Sequence, residues 1–204
     1  MESKVFLFPL NNTLLLKKVT LPYHIFEPRY KQMVHDAIRL NIPVAVIPIR
    51  NNDNYQGSVC VAGLPQILNS YPDGRLDIYI TGQVKCHLTE FDEENPYKVY
   101  YYQPLKEIPD LSEDWVIEME SLKRFLIQWA TKFLPDPLQR KAFGNSLKDE
   151  ETLINYCALF LIEDLELKKQ IMESSQLSQK VQLLSRALGP KEISLGPFMP
   201  TLKL

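Results

Sequence analysis

The sequence predicts an α+β fold: a small closed or nearly closed β-barrel carrying one helix, followed by a helical bundle. Two patterns predict it. Up to about Pro109, short β-branched and aromatic runs alternate with turn residues, the signature of many short strands. Beyond Pro109 the apolar spacing is helical almost to the end. The chain has 204 residues, 45% apolar and 24% charged, which is enough to bury one large core or two small ones. The expected division is a barrel over 1–109, a bundle over 110–190 and an apolar tail over 191–204.

Each strand has a local reason. Lys4–Phe8 and Thr13–Lys17 read as strands around the turn Asn11-Asn12. Pro28 opens a helix, because its missing N–H would have no partner in a first turn. Tyr30, Met33, Val34, Ala37 and Ile38 then recur at helical spacing. Pro43–Ile49 is a continuous apolar run of buried-strand length. Gly57–Leu68 and Arg75–Thr81 flank Tyr71-Pro72-Asp73-Gly74, where proline presets one dihedral and glycine permits a positive one. In Arg75–Thr81, Leu76, Ile78 and Ile80 alternate with polar neighbours, so one face is buried and one wet. Val84–Phe91 and Tyr97–Leu105 complete the set.

The helical part opens with an apolar stripe of Trp115, Met119, Leu122, Leu126, Trp129 and Phe133. Pro135 and Pro137 are expected to stop that helix. A second helix is expected over roughly 148–161, with Leu153, Ile154, Cys157, Phe160 and Leu161 inward. A short third starts at Asp164, a suitable N-cap. A fourth runs from about Leu177 to Leu188, where Gly189-Pro190 should end it through a left-handed glycine cap.

Composition narrows the function classes. The net charge of −2 and a pI near 6.0 give no general attraction to nucleic acid or acidic membranes. The basic pairs, Lys17-Lys18, Lys123-Arg124, Arg140-Lys141 and Lys168-Lys169, are scattered and offset by acids, with no stripe. Cys60, Cys86 and Cys157 have neither a disulfide pattern nor zinc spacing, and read as buried free thiols in a reducing compartment. No apolar run approaches the ~20 residues that span a bilayer. A cytoplasmic protein without cofactor or metal is expected.

The run Leu21-Pro22-Tyr23-His24-Ile25-Phe26-Glu27-Pro28-Arg29-Tyr30, completed by Met33 and preceded by Phe8-Pro9-Leu10, resembles the start of the N-terminal substrate-binding domain of Lon proteases. The likeness continues through Gly57, Val61-Ala62-Gly63 and Ile67, through Tyr71–Leu76, and through Gly82, Val84 and His87, where the family's arginine is missing. It reaches Pro96-Tyr97 and Leu165–Glu173, and so covers about 5–188. The resemblance implies a PUA-like barrel followed by a helical bundle. No phosphate-binding G-x-x-x-x-G-K-[ST] loop is present, so a free-standing recognition module without ATPase or protease parts is expected.

The candidate binding residues are Phe26, Glu27, Arg29, Tyr30 and Tyr55. Glu27 and Arg29 flank Pro28 and could form a polar edge of a peptide surface. Folding alone also accounts for them: Glu27 suits a helix N-terminus, and Arg29 should pair with a carboxylate or carbonyl in a buried bond. Phe26 and Tyr30 read as core or half-buried wall, with a lesser role as aromatic anchors. Tyr55 lies in the polar loop Arg50–Gln56, and loops on a rigid barrel commonly carry recognition. Cys86 and His87 point to opposite faces of a strand and cannot jointly hold an ion.

The expected function is non-enzymatic capture of unfolded or extended polypeptide, with a separate protease as a candidate partner and weak self-association left open. Segments would lie in a groove between barrel and bundle, held by apolar contact and by main-chain pairing at a strand edge. The apolar tail is expected to be ordered, as a packing strap or as an occupant of that groove. Two alternatives stand beside this: an RNA-binding barrel, and a small-molecule sensor with its pocket at the barrel mouth.

Overall fold

The structure, a computed structural model, describes residues 3–94, 96–147 and 149–189. The tail 191–204, and with it the expectation of an ordered strap or groove occupant, lies outside the described residues. The chain divides into two compact units between Leu105 and Lys106.

The first unit holds eight strands and one helix: β1 (Ser3–Leu10), β2 (Thr20–Ile25), α1 (Pro28–Leu40), β3 (Val44–Pro48), β4 (Val59–Gly63), β5 (Pro65–Ser70), β6 (Leu76–Thr81), β7 (Val84–Glu93) and β8 (Val99–Leu105). Five of them close a barrel in the order β1-β3-β4-β7-β8, as expected. The remaining three form a separate sheet in the order β2-β6-β5. The barrel interior is packed by alternate residues of each strand, among them Val5, Leu7, Ala45, Ile47, Cys60, Ala62, Cys86 and Leu88. Phe6 and Phe8, on the opposite face of β1, are buried too. Phe6 meets Tyr97 and Phe8 meets Tyr30, each with ring centroids 4.7 Å apart.

Two strand expectations need correction. Thr13–Lys17 is not a strand. Leu14, Leu15 and Leu16 are all buried, so the segment lacks the alternation of a one-sided strand, and Lys18 turns the chain with φ 62°. Gly57–Leu68 is not one strand but two, β4 in the barrel and β5 in the second sheet. The chain changes sheets at Gly63, where a Cβ would lie 1.9 Å from the Thr81 carbonyl oxygen. It returns at Gly82, where a Cβ would lie 2.2 Å from the Leu16 carbonyl oxygen. Both corners depend on a missing side chain. The Tyr71–Gly74 turn forms as its residues dictate. Gly74 has φ 80°, and its N–H donates to the Tyr71 carbonyl at 2.8 Å.

The second unit contains a 3₁₀ turn (Glu113–Trp115), then α2 (Val116–Phe133), α3 (Pro137–Ser146), α4 (Glu150–Leu161), α5 (Leu165–Glu173) and α6 (Leu177–Leu188). Pro137 starts α3 instead of only stopping α2: it occupies the first turn, and the Asp136 side chain accepts the Leu138 N–H. The tryptophan stripe is core over Leu122, Leu126 and Trp129. Trp129 stacks on Phe160 at 4.1 Å. Asp149 and Asp164 cap α4 and α5. The N-terminus of α6 is capped from afar by Asp110, which accepts the Ser178 N–H at 3.0 Å and its hydroxyl at 2.6 Å. Gly189 does end α6, but with φ 12° and ψ −175°, not in the left-handed cap expected.

Candidate functional site

In the first unit a small hollow opens where the end of β1, the start of α1 and two loops meet. Its volume is about 190 Å³, and Arg29, Tyr30 and Tyr55 line it together with Tyr97 and Lys98. Three of the five residues selected from sequence therefore come together. The reasons are local. Pro28 starts α1, which places Arg29 and Tyr30 in its first turn. The loop after β3 turns at Asp53, φ 49°, and drops Tyr55 fully into the barrel interior. There the Tyr55 N–H donates to the Tyr100 hydroxyl oxygen at 3.3 Å, and the Tyr55 hydroxyl oxygen accepts the Arg50 N–H at 3.4 Å.

The other two residues do not line the hollow. Phe26 is neither core nor wall: it is 62% exposed, immediately before α1, with His24 beside it at 6.5 Å between ring centroids. Glu27 does not cap α1 with its side chain. It accepts from Arg29, Nε at 3.0 Å and the terminal guanidinium nitrogen at 2.9 Å. Arg29 thus pairs with a carboxylate as expected, but the pair is on the surface, the guanidinium side chain being 55% exposed. The guanidinium also lies over the Tyr30 ring, 4.7 Å from its centroid.

Sequence reasoning missed the charged rim. Lys98 bridges Asp53 at 2.9 Å and Glu94 at 3.0 Å. Burial alone would lower the Lys98 ammonium, but the two carboxylates outweigh it and hold the group above its ordinary value. Tyr97 donates to Asp36 at 2.9 Å, and burial together with that bond pushes its phenol well up. Burial likewise raises the Tyr30 phenol. Tyr97 and Lys98 follow Pro96, and the Pro96-Tyr97 pair was a visible signal. Nothing in the sequence joins Asp53 to Lys98, which only the barrel brings together. The hollow holds neutral phenols and mutually paired charges. It presents no nucleophile beside a base, and among the described residues no cluster of three or more metal-ligating side chains exists.

The second sheet presents a hydrogen-bonded polar face. Asp77 accepts from His24 Nδ1 at 2.6 Å, from the Tyr71 hydroxyl at 2.5 Å and from Asn69 at 3.3 Å. The His24 and Tyr71 bonds lead in holding the Asp77 carboxyl down to about 2. Tyr79 bonds Gln66, and the Thr20 and Thr81 hydroxyls meet at 2.8 Å.

The second unit has a larger hollow, about 320 Å³, lined by Leu111, Trp115, Val116, Met119, Leu147 and Leu153 with charged residues at its rim. The N-terminal end of the tryptophan stripe faces this hollow instead of the core. Among the described residues no helix is long and apolar enough to cross a membrane.

The fold has counterparts in solved structures. The chain is similar to a Lon N-terminal domain protein from Xanthomonas campestris, with TM-score 0.69 and 16% identity over 90% of this chain and 98% of that one. It is also similar to the N-terminal domain of the Mycobacterium avium complex Lon protease, with TM-score 0.65 and 14% identity over 90% and 97% of the two chains. At such identities the likeness is one of fold. No match was found among curated proteins. The family model for the ATP-dependent protease La (Lon) substrate-binding domain matches residues 4–189, and the chain belongs to that family.

Proposed function

We propose that this protein is a non-enzymatic module that binds extended or unfolded polypeptide, with the barrel hollow as its anchoring site. The observation that carries this reading is the size and lining of that hollow. At about 190 Å³ it is smaller than the roughly 300–1,000 Å³ typical of small-molecule sites. It suits one side chain of a longer ligand. The rims of the Tyr30 and Tyr97 rings form its apolar wall, fully buried Tyr55 backs it from the barrel interior, and the Arg29 and Lys98 rim can meet main-chain carbonyls. Exposed Phe26, just before the same helix, supplies a second apolar contact.

The mode of binding is side-chain capture. The barrel is closed and has no free edge. Both edges of the second sheet are blunted: Pro22 removes an N–H donor from β2, and β5 begins at Pro65 and carries an irregularity around Leu68. Long strand addition is therefore disfavoured. The RNA-binding alternative is disfavoured by the lining charges, since Arg29 and Lys98 are balanced by Asp53 and Glu94.

Fluorescence anisotropy with a labelled, reduced and alkylated unfolded polypeptide tests the proposal. Saturable binding is expected. Phe26→Ser and Lys98→Gln should each weaken it at least several-fold while the variants remain folded by circular dichroism. Binding that is absent, or unchanged in both variants, would refute the barrel site.

A further inference from the structure

The three cysteines are 26 and 71 residues apart in order of sequence, and the strand register brings two of them together. Cys60 of β4 is the direct cross-strand partner of Cys86 of β7 in the antiparallel pair. Both are free thiols buried in the barrel interior. The two thiols are close enough to influence each other, and the Cys86 thiol donates to the Val84 carbonyl at 3.7 Å. Cys157 lies in α4 of the other unit, with its sulfur 3.6 Å from the Leu122 carbonyl oxygen.

We propose that Cys60 and Cys86 form a reversible dithiol–disulfide site, oxidised by small oxidants of the peroxide class and restored by thiols. The geometry allows it. Residues directly opposite across an antiparallel pair have Cα atoms about 4.5–5.5 Å apart. Disulfides span Cα distances of about 4.4–6.8 Å. The bond therefore needs side-chain rotation and little backbone movement. It would join β4 to β7 at the base of the β5–β6 excursion, closing a covalent loop around the whole second-sheet hairpin.

The chemistry balances. One thiol loses its proton, and the thiolate sulfur attacks hydrogen peroxide. A sulfenic acid forms and hydroxide leaves, which takes up the released proton as water. The second sulfur then displaces the sulfenic oxygen as a second water, and the S–S bond forms. Two thiols have lost two electrons in all, and peroxide has gained them. Contact with Cys86 and burial both raise the Cys60 thiol, so reaction awaits local opening of the barrel and is faster at alkaline pH.

The test uses the whole wild-type chain. Folded protein is treated with hydrogen peroxide, the remaining thiols are alkylated, and digested peptides are mapped by mass spectrometry. The expected product links the Cys60 and Cys86 peptides, leaves Cys157 alkylated, melts higher than the reduced protein and reverts with dithiothreitol. The linkage should also form in Cys157→Ser. The proposal fails if both thiols remain alkylatable under conditions that oxidise the urea-unfolded chain. It also fails if oxidation stops at sulfinic acid without a link, or if the link lowers the melting temperature.

Discussion

At the scale of single residues, exposure decides what a side chain does. Arg29 illustrates it. The sequence places Arg29 correctly in a first helical turn next to a carboxylate, but local spacing carries no information about solvent. Its pair with Glu27 is a surface pair, and such pairs contribute at most about 1 kcal/mol. Arg29→Ala is therefore expected to leave thermal melting nearly unchanged, by differential scanning fluorimetry, while weakening polypeptide binding. A large drop in melting temperature would show a structural role instead. Asp77 is the opposite case, a residue given weight only by its partners. Its folded carboxyl is depressed from 3.8 to about 2, so the unfolded chain takes up the proton first as pH falls. The stability that Asp77 contributes is fully present above pH 4 and disappears between about 4 and 2. The melting-temperature gap between wild type and Asp77→Asn should accordingly be widest above pH 4 and close toward pH 2. A gap independent of pH would show that the His24–Asp77–Tyr71 cluster owes nothing to the carboxylate's charge.

At the scale of elements, the legible features were those set by short-range rules. The proline-started α1, the Tyr71–Gly74 turn and the alternating β6 follow from residue type and period. Capping by Asp164 does as well. The features that were not legible depend on distant chain. The corners at Gly63 and Gly82 look like ordinary strand glycines until Thr81 and Leu16 are brought against them. The same holds for the capping of α6 by Asp110, 68 residues away. Gly82→Ala would drive a Cβ into a backbone carbonyl that cannot rotate away, and it should lower the melting temperature severely or abolish soluble expression. An alanine variant that melts like wild type would mean that the corner is pliable. The stripe on α2 was legible as apolar but not as divided. Trp129 sits in an aromatic cluster with Phe133, Phe143 and Phe160, and Trp129→Ala should cost about 3–5 kcal/mol in chemical denaturation. A loss under about 1 kcal/mol would place Trp129 on a surface.

For the molecule as a whole, the family resemblance and the α+β class were visible in the sequence, because motifs and periodicity are local. The assembly of the barrel hollow was only half visible. Arg29, Tyr30 and Tyr55 were selected one by one, and no sequence rule placed Lys98 between Asp53 and Glu94. That pairing has a consequence in solution. A site whose cations are already neutralised releases few counterions when it binds, whereas a phosphate-binding surface loses affinity steeply with salt, by about 10³–10⁵ between 50 and 200 mM for six to ten contacts. With a net charge of −2 and paired lining charges, polypeptide binding is expected to change only a few-fold over that range. The chain should also pass through immobilised heparin at physiological salt. Titrations of a labelled unfolded polypeptide and a labelled single-stranded RNA at several salt concentrations separate the readings. Weak salt dependence with the polypeptide and no RNA complex is the result that side-chain capture requires. A steep slope, with RNA bound more tightly than polypeptide at low salt, would move the function to nucleic-acid recognition despite the chain's charge.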